Sequence, residues 1–149
     1  MKPKELEKSR VDKEPYLVWN AFIELIVNKP NALSNIQAIA HFAFWYDSEV
    51  QNGGHLQYFE NMFNRYRDKE DNLVSVTLEA LKIIGAKKQS EILSQAAKQY
   101  FSTKRKHPST IKEFVEFDKL YYGCSPVMNS YLERYLQTHL SEFITLIYI

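Results

Sequence analysis

The residues best suited to chemistry crowd into one segment, Glu49-Val50-Gln51-Asn52-Gly53-Gly54-His55-Leu56-Gln57-Tyr58-Phe59-Glu60-Asn61. Two consecutive glycines stand between polar side chains, and Gln57, Tyr58 and Asn61 follow at once. Gln57 and Asn61 are four apart, so on a helix their amides share one face. A helix starting at the glycines offers free backbone N–H groups in its first turn, which receive an anion or a carboxylate. The Glu49 carboxylate, near the end of the preceding helix, could instead fold over and cap those same groups. The same letters therefore describe either a ligand-binding corner or a tight structural turn.

A second set, His41, Asp47, Glu49 and His55, raises hydrolytic or metal chemistry. His41 and Glu49 are eight apart, two helical turns, too far to share one ion on a straight helix. The chain has no His-x-x-x-His or Glu-x-x-His pair of the kind that builds helical di-iron sites. Cys124, between Gly123 and Ser125, has His107 and His139 as candidate bases but no local nucleophile signature. No Gly-rich phosphate loop occurs. The expectation is no metal, no cofactor and no catalytic set.

Those residues must be positioned by helices. Pro15 suits a first helical turn, with Leu17, Val18, Phe22, Leu25 and Ile26 on one stripe and Pro30 ending it. Ser34 with Gln37 three residues later is a capping-box pattern opening a second helix. Ile36, Ile39, Ala40, Ala43 and Phe44 form its apolar face, and Gly53-Gly54 stop it. Trp45 and Tyr46 are adjacent, so one of them must lie near the surface. A third helix is predicted from about Gly54 to Tyr66, burying Leu56, Phe59 and Phe63. A fourth opens at Asp71 or Asn72 and ends at Gly85, and a fifth runs from Ala86 or Ser90 to Phe101. Thr110 caps a sixth, ending at Gly123. The last starts at Ser125 or Pro126 and carries Met128, Leu132, Tyr135, Leu136, Leu140, Phe143 and Ile147 on one stripe. The β-branched and aromatic run 143–149 also suits a strand, but with no convincing second strand it reads as the end of that helix.

The chain is 149 residues long, with 19 Lys+Arg against 18 Asp+Glu and a formal net charge of +1. Its 45% hydrophobic and 25% charged residues fit an ordinary globular domain. A chain of this length buries roughly 70% of its unfolded surface, enough for a core without staples. The single cysteine excludes an internal disulfide framework and fits a reducing, cytoplasmic setting. The Lys/Glu-rich start lacks the apolar stretch of a signal peptide, and no apolar run reaches the ~18 residues of a membrane helix. Between Glu14 and Glu60 five acids face Lys29 alone, a net −4; between Asn61 and Gly123 twelve bases face eight acids, a net +4. The basic cluster Lys104, Arg105, Lys106 and His107 reads as a solvated loop, so direct nucleic-acid binding is not expected.

The pattern Glu49-x-x-Asn52-Gly53-Gly54-x-x-Gln57-Tyr58-Phe59-x-Asn61 resembles the signature of a bacterial family of helical domains named after a DNA-mimic protein. Ala80-Leu81-x-x-Ile84-Gly85-Ala86 and Asp118-x-x-Tyr121-Tyr122 resemble two further elements of that family, in the same order, and the likeness spans about Tyr16 to Phe143. Position 55 departs from it, being His where the family usually carries an aromatic residue such as Phe. The resemblance implies an all-helical fold and, for one member, binding of a transcription factor through an acidic surface that imitates DNA phosphates.

The reading is thus an all-α, single compact multi-helix domain of about seven helices with short loops. Residues 1–13 form a charged N-terminal extension and 14–149 the domain. Its expected role is non-catalytic binding of a protein partner, possible regulation of a transcription factor included, as a monomer or homodimer away from membranes. Glu49, Asn52, Gly53, Gly54, His55, Gln57, Tyr58 and Asn61 are the expected binding residues, with Tyr58 or His55 facing the partner. The rival readings are a small hydrolase or metal enzyme using His41, Glu49 and His55, and a DNA mimic.

Overall fold

The computed structural model describes residues 1–66, 69–103 and 111–149. Strand β1 (Lys4–Glu7) and the short helix α1 (Lys8–Lys13) come first, so the charged start has regular structure. β1 pairs in parallel with β2 (Ile144–Ile147), Lys4 opposite Ile144 through Glu7 opposite Ile147. The expectation that 143–149 ends the last helix is corrected here. Ile144-Thr145-Leu146-Ile147 takes the extended form its β-branched residues favour. Its partner Lys4-Glu5-Leu6-Glu7 is inconspicuous because it carries a single apolar residue.

Helix α2 (Tyr16–Ile26) follows Pro15. It stops where the Asn28 amide donates to the Glu24 and Leu25 carbonyls at 3.0 and 2.8 Å, ahead of a 3-10 turn at Pro30–Ala32. The capping box at Ser34 is formed: Gln37 N–H donates to Ser34 Oγ at 3.2 Å and Ser34 N–H to Gln37 Oε1 at 3.0 Å. It opens α3 (Asn35–Arg65), in which the expected second and third helices run on through one sharp kink at Gly54.

Helix α4 (Glu70–Ile83) ends in the left-handed residue Gly85, φ 92°. Ala86 N–H bonds the Leu81 carbonyl at 2.8 Å and Gly85 N–H the Lys82 carbonyl at 3.1 Å, the paired bonds of a Schellman stop. Helix α5 (Lys87–Thr103), a 3-10 turn at Ile111–Glu113 and helix α6 (Val115–Tyr122) follow. The expected cap Thr110 and the basic cluster 104–107 lie outside the described residues. The single final helix of the sequence reading divides at His139 (φ −122°, ψ 33°) into α7 (Met128–Thr138) and α8 (Leu140–Phe143).

Eight α-helices are thus found among the described residues, and the fold is mainly α with one two-stranded sheet. Helix α3 is its axis, packing on α2, α4, α5, α6, α7 and α8. Tyr46, Tyr58 and Phe59 of α3 join Phe22, Phe114 and Phe143 in the core with no exposed surface. Trp45 is half-buried beside fully buried Tyr46, the division that helical geometry requires. Among the described residues no helix is long and apolar enough to cross a membrane.

Gln37 ties the ends of the chain to this axis. Besides its part in the capping box, its buried amide donates to the Glu142 carbonyl at 2.7 Å and the Met1 carbonyl at 2.9 Å. Gln37→Ala removes the partner of these part-buried carbonyls and half of the cap. A loss of about 2 kcal/mol is expected, read as a fall of about 4–8 °C in Tm by circular dichroism.

Candidate functional site

Gly54 adopts φ 80° and ψ −178°, a combination essentially reserved for glycine. That single residue turns α3 and resets the phase of its side chains. A Cβ built there would meet Asp118 Oδ2 at 2.5 Å, so the missing side chain also makes room for a carboxylate from α6. Asp118 Oδ1 accepts the His55 backbone N–H at 2.8 Å and its ring Nδ1–H at 2.7 Å. The second half of α3 is therefore capped by a residue sixty-three positions away.

Helix α6 grips α3 at two further places. Tyr121 OH donates to Asp47 Oδ1 at 2.5 Å, and Tyr122 OH donates to the Val50 carbonyl at 2.8 Å. Asp118, Tyr121 and Tyr122 are three and four apart on one short helix, so they project from one face. Their partners lie at Asp47, Val50 and His55, on both sides of the bend.

A second set of bonds crosses the bend from within α3. Glu49 Oε2 accepts the Gln57 amide at 3.0 Å and the Asn61 amide at 2.6 Å. Gly53 permits this, because a Cβ at that position would collide with the Gln57 side-chain amide. Glu49 therefore does not cap the N–H groups after the glycines; it holds the two amides of the facing half-helix, and Asp118 serves as the cap.

The tautomer of His55 follows from its partners. Nδ1 carries the proton donated to the Asp118 carboxylate, leaving Nε2 to accept from Tyr46 OH at 2.7 Å. Burial holds the His55 pKa below its ordinary value, against the opposite pull of Asp118. Burial also pushes the Tyr46 hydroxyl well up and raises Asp47, against the lowering bonds from Tyr121 and Gln51. Tyr121 is raised, chiefly by burial.

The sequence-predicted residues thus divide. Glu49, Gln57 and Asn61 are brought together, and Asn52, Gly53 and Asn61 are exposed. His55 and Tyr58, expected to face a partner, have no exposed surface; the turn at Gly54 directs both inward, against Tyr46 at ring distances of 5.6 and 5.0 Å. The residues of the hydrolase or metal reading are not assembled. Buried His41 meets the Ile26 carbonyl at 2.6 Å through Nδ1, and about 21 Å of helix axis separates it from His55. Among the described residues no three His, Cys, Asp or Glu side chains form a metal-holding group. Sequence reasoning missed Tyr46, Asp118, Tyr121 and Tyr122 as parts of the site. The available signal was Asp118-x-x-Tyr121-Tyr122, three polar groups on one helix face.

Two outcomes test this geometry. Gly54→Ala forces a side chain into a glycine-only conformation and displaces Asp118, so a loss of about 3 kcal/mol is expected in urea unfolding. Burial lowers the pKa of both His55 and His41, whereas in the unfolded chain histidines titrate near 6.5. Around that pH the unfolded state binds more protons than the fold does. The urea midpoint should therefore fall as pH drops from about 7 to about 5.5, the window in which unfolded histidines take up protons; a midpoint that stays level or rises over that window contradicts the lowered histidine pKa values.

No curated protein and no solved structure gives a significant match to the chain. The model of the DMP19-like protein family, named for DNA mimic protein 19, matches residues 31–139. That span holds the kinked α3, the Gly85 stop and the α6 clamp, and it covers most of the sequence: the chain belongs to the DMP19-like protein family.

Proposed function

We propose that this domain is a non-catalytic protein-binding module, regulatory in role, and that it meets its partner on the outer face of the α3 kink. Membership of the DMP19-like family fits a protein-interaction role. The observation that carries the reading is the contrast between the two sides of the bend. On the inner side His55, Tyr46 and Tyr121 are buried and bonded within the protein. On the outer side Asn52, Gly53, Glu60 and Asn61 are exposed on a backbone fixed by Glu49, Gln57 and Asp118. A surface held rigid before contact loses little conformational freedom on binding. Beside it stands Tyr122, 51% exposed with its hydroxyl fixed on Val50, the kind of aromatic anchor on which interfaces draw.

The DNA-mimic alternative requires free carboxylates at phosphate-like spacing. Near the kink, Asp47, Glu49 and Asp118 already accept hydrogen bonds from Tyr121, Gln57, Asn61 and His55. Their charge supports the fold, and Glu60 stands among exposed neutral amides.

Asn52→Arg/Glu60→Arg alters the outer face without touching a clamp bond. The expected outcome is loss of the partners that the wild-type protein co-purifies, with unchanged circular dichroism, while Lys98→Glu on α5 retains them. Retention of every partner by the folded double variant removes this face as the interface. A complex that weakens steeply with salt at the wild-type surface would instead support the electrostatic, mimic-like mode.

A further inference from the structure

A cavity of about 340 Å³ lies at the far end of α3, away from the kink, between the α2–α3 connection and the C-terminus of α3. It is lined by Lys29, Pro30, Asn31, Arg65 and Tyr66. Its volume falls at the small end of the range for small-molecule sites. Among the described residues that line it, two are cations and none is an acid. Neither cation makes an ion pair with a described residue.

The usual employment of cations at helix ends is to meet the last carbonyls. At the end of α2 that task is already performed. Asn28 donates to the Glu24 and Leu25 carbonyls, and His41 Nδ1 meets the Ile26 carbonyl. Lys29 is exposed and forms no ion pair with a described residue. Arg65 is exposed yet held in place: its guanidinium carbon lies 5.8 Å from the Trp45 ring centroid and 5.7 Å from that of Tyr66. Contact with ring faces occupies the plane of a guanidinium and leaves its N–H edges to bond an oxyanion two-pronged. The half-buried Pro30 and Tyr66 add an apolar wall beside the two charges.

We propose that this cavity binds the oxyanion group, phosphate or carboxylate, of a small molecule with an apolar or aromatic body. Arg65 supplies the oriented fork, Lys29 a second charge and Asn31 a neutral amide. Two cations favour a doubly charged phosphate over a carboxylate. The site is independent of the protein-binding face at the kink, and its test does not involve a protein partner.

The test is a titration followed by amide NMR, with phenyl phosphate, benzoate, inorganic phosphate and uncharged benzyl alcohol as probes. Saturable shifts are expected at Lys29, Asn31, Arg65 and Tyr66 with phenyl phosphate or benzoate, and none with benzyl alcohol. Whichever of the two aromatic anions binds more tightly identifies the headgroup. Arg65→Gln should weaken binding by about tenfold or more, the loss typical of a charged hydrogen-bonded pair, and Lys29→Gln should weaken it in the same direction. Lys29 sits in an exposed connection, so that variant tests the site even if Arg65→Gln disturbs the end of α3. Absence of saturable shifts with every anion, shifts mapping elsewhere, or affinity unchanged in both variants overturns the proposal. Equal binding of inorganic and phenyl phosphate removes the organic body from it.

Discussion

A helix interrupted in the interior of a protein exposes backbone N–H groups with no partner above them, and leaving one unpaired there costs about 1–3 kcal/mol. At His55, the first residue after the break, that demand is met by Asp118 Oδ1, which takes the backbone and ring N–H together. The carboxylate reaches the spot only because Gly54 has no side chain, and Gly54 makes the break only because glycine tolerates its φ of 80°. Asp118 in turn fixes the rotation of α6, which brings Tyr121 to Asp47 and Tyr122 to the Val50 carbonyl. Glycine, carboxylate and the two tyrosines are therefore one device, although α4 and α5 separate them in the chain. Two of the three family elements quoted from the sequence are its two halves.

The line Tyr46–His55–Asp118 has the connectivity of a catalytic relay. The carboxylate fixes the imidazole through Nδ1 and a hydroxyl lies on Nε2, where a serine nucleophile stands in hydrolytic triads. Access separates the two cases. Tyr46 and His55 have no exposed surface, and burial pushes the Tyr46 hydroxyl well above its ordinary range, away from the anionic form a nucleophile needs. Tyr58 and Tyr121 surround the same phenol at ring distances of 5.0 and 5.4 Å. The imidazole, polar on two edges, lets an aromatic core close around a broken helix with both ring nitrogens paired. That is a physical reason for histidine at position 55.

Local chemistry was readable where it is self-contained. The Ser34–Gln37 box, the Gly85 stop and the end of α2 before Pro30 each depend on residues within about one turn, and each forms as the letters indicate. What escaped was non-local. The strand Lys4–Glu7 acquires its meaning from Ile144–Ile147 at the other end of the chain, and a Lys-Glu-Leu-Glu tetrad has no strand signal of its own. The directions of His55 and Tyr58 escaped for a different reason. Helical periodicity assigns faces by counting residues, and the count restarts wherever one residue leaves helical angles. The glycine pair marked where the chain turns, but the direction of the second half is set by Asp118. The spacing of Gln57 and Asn61 survived because both lie beyond the break, whereas Glu49, offered by the sequence as a cap of the backbone, bonds their side-chain amides instead.

Electrostatics along the second half of α3 connects these observations. A helix carries a partial positive charge at its start and a partial negative charge at its end. The start of this half is a ready anion site, as the glycines indicate, but its anion comes from within the protein: Asp118 occupies it. An external anion would have to displace a carboxylate that also holds His55 and anchors α6, so the kink is a poor place for an anionic ligand and a good one for a fixed surface. At the other end the helix terminates in Arg65, the sign of charge that complements its dipole. The rings of Trp45 and Tyr66 keep that guanidinium near Lys29 without neutralising either. The inviting end of this half-helix is thus closed by the protein's own carboxylate, while at its other end, where the dipole alone would repel an anion, stand two cations that form no ion pair with a described residue. Side-chain charge overrides the dipole there, because two full charges outweigh the roughly half-charge of a helix terminus.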